Sequence, residues 1–303
     1  MKRRSFIKQS VAAAGGLALA SPLMASMLGE KSSLHPVGIQ LFTVMKEIDE
    51  DLTGTLKKIA ALGYQELESA YSVKGGYYGL KPKEFASMAK DLGLAWKSHH
   101  VLGVPFVPPP EMKLPPAFSK MRSLKMNHQE LVDEAAEGGV EFLVCAAISF
   151  GTTDEINSSL EILNKTAEAC KKAKIGFAYH NHDAEFKAVD GKLPYDIFLS
   201  QISGDLMKME LDLAWATKAG VDPVVLFKKH PGRFPLWHVK DLDAEFKQIL
   251  PVGQGVIDYK RIFAEAKIAG MKHFFVEHDM PANAFESLAA SIKNVNEVIK
   301  PAN

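Results

Sequence analysis

The chain has 303 residues, 47% hydrophobic and 24% charged, with 36 Lys+Arg balanced by 36 Asp+Glu. Zero formal charge excludes the basic excess of a nucleic-acid-binding protein, and two cysteines exclude both a disulfide framework and a four-thiolate zinc site. The length accommodates one large domain or two small ones.

Residues 1–30 read as an export signal and not as fold. Lys2, Arg3 and Arg4 form a basic head, Val11–Ala20 an apolar stretch, and small residues around Ala18–Ala20 and Ala25–Ser26 offer cleavage sites. The apolar run, about ten residues, is too short to span a bilayer core of about 30 Å. Arg3-Arg4-Ser5-Phe6-Ile7-Lys8 looks like a twin-arginine signal. It predicts the twin-arginine export machinery as a partner and a periplasmic or otherwise exported location. A general secretory signal or a lipid-facing anchor is the alternative.

Residues 31–303 alternate short apolar runs with longer amphipathic ones. The predicted strands are Val37–Phe42, Gln65–Ser69, Ala95–His100, Glu141–Ala146, Ile175–His180, Leu206–Leu211, Pro235–Val239 and His273–Glu277. Predicted helices include Leu52–Leu62, Pro82–Leu92, Met121–Glu137, Glu155–Ala173, Tyr259–Ala269 and Ala284–Ile299. Gly63, Gly93, Gly138, Gly176 and Gly270 fall at or just past helix ends, where a left-handed cap is wanted. Strict βα alternation implies a parallel sheet with right-handed crossovers, and eight units fit a single-domain α/β fold, the closed (β/α)8 TIM barrel. A doubly wound open sheet would need a glycine-rich phosphate loop after the first strand, where the chain has Gln40-Leu41-Phe42-Thr43. Cys145, on a strand, and Cys170, on a helix, read as buried free thiols. Val101–Ser119 holds six prolines, the marks of a stiff loop projecting from the strand C-terminal face as a pocket cover or as a subunit contact.

In such a barrel the chemistry sits at strand C-terminal ends. Those tips carry Glu68, His99-His100, Tyr179-His180-Asn181-His182 with Asp183 and Glu185, Glu210-Leu211-Asp212 with Trp215, Trp237-His238-Val239-Lys240-Asp241, and Val276-Glu277-His278-Asp279. Six of the ten histidines lie there, beside carboxylates. Imidazole and carboxylate without thiolate suit one divalent ion such as Mn, Co, Zn or Mg. The expected ligands are His180, Asp212, His238 and Glu277, one from each of the last four strands. Alone, each has a plain reading, and Asp212 would serve as a helix N-cap.

Gly38-Ile39-Gln40-Leu41, Tyr179-His180-Asn181-His182-x-x-Glu185-Phe186, Glu210-Leu211-Asp212-x-x-Trp215, His238-Val239-Lys240-Asp241 and Val276-Glu277 resemble the xylose-isomerase-like TIM-barrel superfamily. This is the sugar phosphate isomerase/epimerase group, which includes inosose dehydratase and the ketose 3-epimerases. The resemblance spans about residues 36–299 and implies metal ligands Glu, Asp, His and Glu from strands five to eight. Asp212, His238 and Glu277 match the last three. His180 stands where the first Glu belongs, so His180, His182, Glu185 or water completes the set. That change also removes the carboxylate base of the ketose epimerases.

The implied chemistry is α-proton abstraction from a small-molecule carbohydrate and a metal-stabilised enediolate. Glu277 and Glu185 are base candidates, and His182 or His100 is a candidate acid. Lys240 would stabilise the enediolate oxygen or pair with Asp241. Glu68 and His100 would hold sugar hydroxyls. Trp215 and Trp237 offer apolar faces, with packing favoured for Trp237. Gly253-Gln254-Gly255 lacks the third glycine of a dinucleotide fingerprint and reads as a tight turn before Asp258, a helix cap. Lys171-Lys172 reads as a charge run suited to a helix C-terminus.

Three functions follow: an isomerase or epimerase; a lyase, dehydratase or hydratase acting on a keto-sugar, 3-keto-glycoside or inosose; and a non-catalytic sugar-binding barrel. The His180 change and the export signal favour the second over the first. The sequence leaves open whether the chain forms a homo-oligomer.

Overall fold

The computed structural model of the chain describes residues 35–106 and 121–299. The predicted export signal and residues 107–119 of the proline-rich segment lie outside the described residues. Eight parallel strands close a barrel: β1 (Gly38–Gln40), β2 (Glu66–Ser69), β3 (Ala95–Leu102), β4 (Phe142–Ala147), β5 (Gly176–His180), β6 (Lys208–Asp212), β7 (Leu236–Val239) and β10 (His273–Val276). They neighbour one another in chain order, and β10 returns to β1. Each matches a predicted strand within two residues at either end. The sequence reading missed a small antiparallel pair, β8 (Asp241–Leu242) with β9 (Ile249–Leu250), beyond the end of β7.

Helices cover the barrel, and the longest shows why they form. In Thr153–Ala173 the Thr152 hydroxyl accepts from the Glu155 N–H at 3.1 Å, Asp154 and Glu155 lie in the first turn, and Lys171 and Lys172 lie in the last. Ile156, Leu160, Leu163, Ala167 and Cys170 recur at helical spacing and are buried against the strands. Cys145 and Cys170 are both buried and unbridged. The predicted helix Tyr259–Ala269 is two pieces, Tyr259–Phe263 and Ala266–Ala269, because the backbone leaves helical geometry at Glu265. Among the described residues no helix is long and apolar enough to cross a membrane.

The barrel axis is filled in layers. Phe142, Val144, Ala178, Leu236 and Phe275 form an apolar plug. Two glycines make room for its rings: a Cβ on Gly38 would lie 2.5 Å from the Phe275 ring, and one on Gly176 would lie 2.4 Å from the Phe142 ring. Below the plug, His273 Nδ1 meets Glu66 at 2.8 Å and Nε2 meets Glu141 at 3.1 Å. Above it, at the mouth, polar side chains including Glu68, His100, His180, Glu210 and His238 gather.

A register shift decides which side chains those are. Between β2 and β3, Leu67 is level with Trp96 but Glu68 is level with Ser98, so β3 carries one extra residue. The shift reverses parity along β3. His100 therefore faces the axis, while His99 turns outward to Ser69 and the rings of Tyr77 and Trp96.

Two outcomes follow. Gly38→Ala overpacks the plug and should cost about 1–3 kcal/mol, read from urea unfolding. Burial works against charge on His273, but hydrogen bonds and charges from Glu66 and Glu141 outweigh it and raise its pKa. A raised imidazole contributes stability that is complete below about pH 6.5 and lost as pH rises through the folded-state value. The stability gap between wild type and His273→Gln should therefore be larger at pH 6 than at pH 9.

Candidate metal centre and active site

His238, at the end of β7, sits at the centre of the mouth. Its Nδ1 lies 2.8 Å from Glu277, and its Nε2 lies 2.5 Å from Glu68 and 3.2 Å from Glu210. His100 Nε2 lies 2.5 Å from Glu210 and 3.1 Å from Glu68, and His180 Nδ1 lies 3.1 Å from Glu210. All of these side chains are buried. The donor atoms form two overlapping groups, each with its atoms within 4.8 Å of one another: an outer one of Asp212, His238 and Glu277, and a deeper one of His100, His180, Glu210 and His238, where Glu210 lies two residues before Asp212 on β6. The predicted set of His180, Asp212, His238 and Glu277 is thus divided between them, with His238 in both.

The donor chemistry fits a divalent cation. Two carboxylates and an imidazole converge in the outer group, all nitrogen and oxygen. Asp212 Oδ2 is buried without a well-directed hydrogen bond, and the Lys240 ammonium stands 2.9 Å from it. Glu210 Oε1 in the deeper group is also buried without a hydrogen-bond partner among the described residues.

Electrostatics follow from crowding. Burial disfavours the charged form of His238, yet Glu210, Glu277 and Glu68 raise its pKa well above the imidazole range. His100 is likewise pushed up to about 9, against burial, by Glu68 and Glu210. Burial and neighbouring cations hold His180 well below its ordinary value, so it is neutral. Glu210 rises to about 7 through burial and the charge of Glu68. Burial also opposes charge on Glu277, but Lys240 and His238 prevail and keep it ionised.

Lys240 does not pair with Asp241, one of the two partners the sequence allowed. Its ammonium lies 2.6 Å from Glu277 and 2.7 Å from Asp279, in addition to Asp212. Asp241 instead accepts from the N–H groups of Leu242, Gly253 and Ile257, which fixes the turn after β9. A Cβ on Gly255 would strike the Leu242 carbonyl and the Asp241 carboxylate at 2.2 and 2.3 Å. The Tyr259 hydroxyl donates to the Lys240 carbonyl, and Asp258 caps its helix through the Arg261 N–H. The Gly-x-Gly segment is therefore the brace of the Lys240 tip.

The other predicted residues separate clearly. Asp212 is both donor and N-cap, its Oδ1 accepting from the Trp215 N–H at 2.8 Å. Glu68 is engaged by Gln40, Ser98, His100 and His238, so it orients imidazoles at the floor. Glu185 lies apart from both donor groups, accepting from the Tyr179 hydroxyl at 2.8 Å and from the His182 N–H at 3.0 Å. His182 is half-exposed at the rim, with Trp215 at 6.0 Å between ring centres. Trp237 is packing, stacked on Phe227 at 4.9 Å. His278 turns away to Ser287. Sequence reasoning named Glu210 and Asp279 at the strand tips but gave neither a role. Glu210 was findable, because it precedes Asp212 by two and so shares its face of β6.

A closed parallel barrel with buried nitrogen and oxygen donors at its C-terminal mouth defines a (β/α)8 protein built to gather charge at one point. The chain belongs to the xylose isomerase-like TIM barrel family, whose sequence profile matches residues 56–297. It is similar to a sugar phosphate isomerase/epimerase from Parabacteroides distasonis, with 26% identity and a TM-score of 0.72 over 90% of this chain and 96% of that one. It shares its fold with an L-ribulose 3-epimerase, at 14% identity and a TM-score of 0.63 over 88% of this chain and 95% of that one. The IOLI protein with a bound zinc atom, at 16% identity, has a TM-score of 0.65 over 87% of this chain and 98% of that one. No protein of curated function matches the sequence.

Proposed function

We propose that the protein is a divalent-metal-dependent enzyme that acts on a carbohydrate by removing a proton beside a carbonyl, in the manner of the isomerases and epimerases. The convergence of Asp212, His238 and Glu277 at the mouth carries the reading. Asp212, His238 and Glu277 would hold the ion, His180 would border it, and a relative holds zinc. A cation there would bind adjacent sugar oxygens and make the neighbouring C–H more acidic.

The chain's own residues supply the rest. Glu277 is ionised through the neutral range, the form that both a ligand and a base need. Lys240 brings a fixed positive charge to the place where negative charge would develop on the substrate oxygen. Glu68 and Gln40 hold the His238 ring in register from below. His182, at the rim, can give a proton to a departing or re-forming oxygen.

One observation favours elimination over epimerisation. His180, held by Glu210 at 3.1 Å, stands where the resemblance places the carboxylate base of the ketose epimerases. A carboxylate base paired with imidazole acids suits a lyase or dehydratase acting on a keto-sugar, 3-keto-glycoside or inosose. We also propose that the protein acts after export, on the twin-arginine pattern of residues 3–8.

Chelator-stripped protein should take up one divalent ion, and Asp212→Asn should weaken uptake at least tenfold more than Glu210→Gln. The reverse order places the ion in the deeper group. Because His238 must lose its raised proton to bind metal, affinity should climb from pH 6 to pH 8, with protons released on binding. Glu277→Gln should lower turnover at least a thousandfold while the unfolding midpoint stays near that of wild type. The substrate screen comprises unphosphorylated sugars, 3-keto-glycosides and inososes with Mn, Co or Zn, run in heavy water. Deuterium gain without group loss marks isomerisation, and loss of water or aglycone marks elimination. Wild-type activity in Glu277→Gln sinks the reading.

A further inference from the structure

The cavity above the donor cluster, about 490 Å³, is lined by two unlike kinds of side chain. His100, His180, His182, Glu277 and Asp279 are polar. Phe42, Met45, Leu102, Phe106 and Met280, with Tyr71, make up a larger apolar lining. Among the described residues, no lysine or arginine lines this cavity. Its size is that of a pocket enclosing a drug-sized ligand.

The apolar lining is continuous with the site and is held in place. Phe42 and Tyr71 pack ring to ring at 6.0 Å. Met280 follows Glu277 by three residues, has a left-handed φ of 50° and is 76% exposed. A non-glycine residue is strained in that conformation. The backbone thus accepts strain at the point where it presents an exposed thioether to the mouth.

We propose that the substrate is a sugar bearing an apolar, ring-sized substituent, such as an aryl glycoside, with the sugar at the polar side chains and the substituent against the carbon wall. This rests on the carbohydrate reading above. A free sugar would leave the wall in contact with water and forgo the gain from covering apolar surface. A phosphate would lose hydration against carbon without gaining a cation at that wall. The adjoining lobe does hold Lys74 and Arg122, but the Arg122 guanidinium is bound by Glu130 at 3.0 Å and Glu134 at 2.7 Å.

Calorimetric titration of the metal-loaded full chain tests this with three probes: 4-nitrophenyl β-glucoside, methyl β-glucoside and glucose 6-phosphate. The nitrophenyl glucoside should bind at least tenfold more tightly than either of the others. Met45→Ser and Met280→Ser should each reduce its advantage over the methyl glucoside at least threefold. Equal binding of the two glucosides overturns the proposal. So does tighter binding of glucose 6-phosphate, an advantage unchanged in both variants, or binding of none. The readout is affinity for unoxidised sugars. It stands or falls separately from the reaction class, which the heavy-water and Glu277→Gln results decide.

Discussion

The imidazole of His238 ties the mouth together. One ring nitrogen faces Glu277 and the other faces Glu68 and Glu210, so carboxylates from three other strands converge on one side chain. The ring can do this because closure of the barrel turns β2, β6, β7 and β10 toward a common axis. It keeps a single orientation because Gln40 on β1 and Ser98 on β3 hold Glu68 from either side. The apolar plug under this layer excludes water, which strengthens each of these interactions and makes any unpaired charge costly.

The same constraint explains the opposite titration of like groups. Glu68 and Glu277 each face cations and stay ionised, whereas Glu210, beside Glu68, rises to about 7. At His180 burial and the nearby cations outweigh Glu210 and it stays neutral, while His100 and His238 lie between carboxylates and hold their protons. Identical side chains thus acquire different roles from their neighbours.

Much of this was legible in the residues. Short apolar runs and glycine punctuation located all eight barrel strands, and strand-tip reasoning located Asp212, His238, Lys240 and Glu277. The tips did not reveal which way each side chain points. His99 and His100 look equivalent in sequence, and only the extra residue in β3 separates them. Glu185 reads as a base beside His182, yet its carboxylate is occupied by Tyr179 on the outer side of β5. The β8–β9 pair consists of two-residue strands, too short to leave a periodic signal.

The placement of Lys240 bears on how the protein is assembled. Its ammonium already counterbalances Asp212, Glu277 and Asp279, so the chain carries a built-in placeholder for a cation. Folding then has no need to wait for metal, unlike small domains whose ligands repel one another until an ion arrives. On the proposed reading, an ion would enter a site whose acids are already counterbalanced, so its arrival could follow folding.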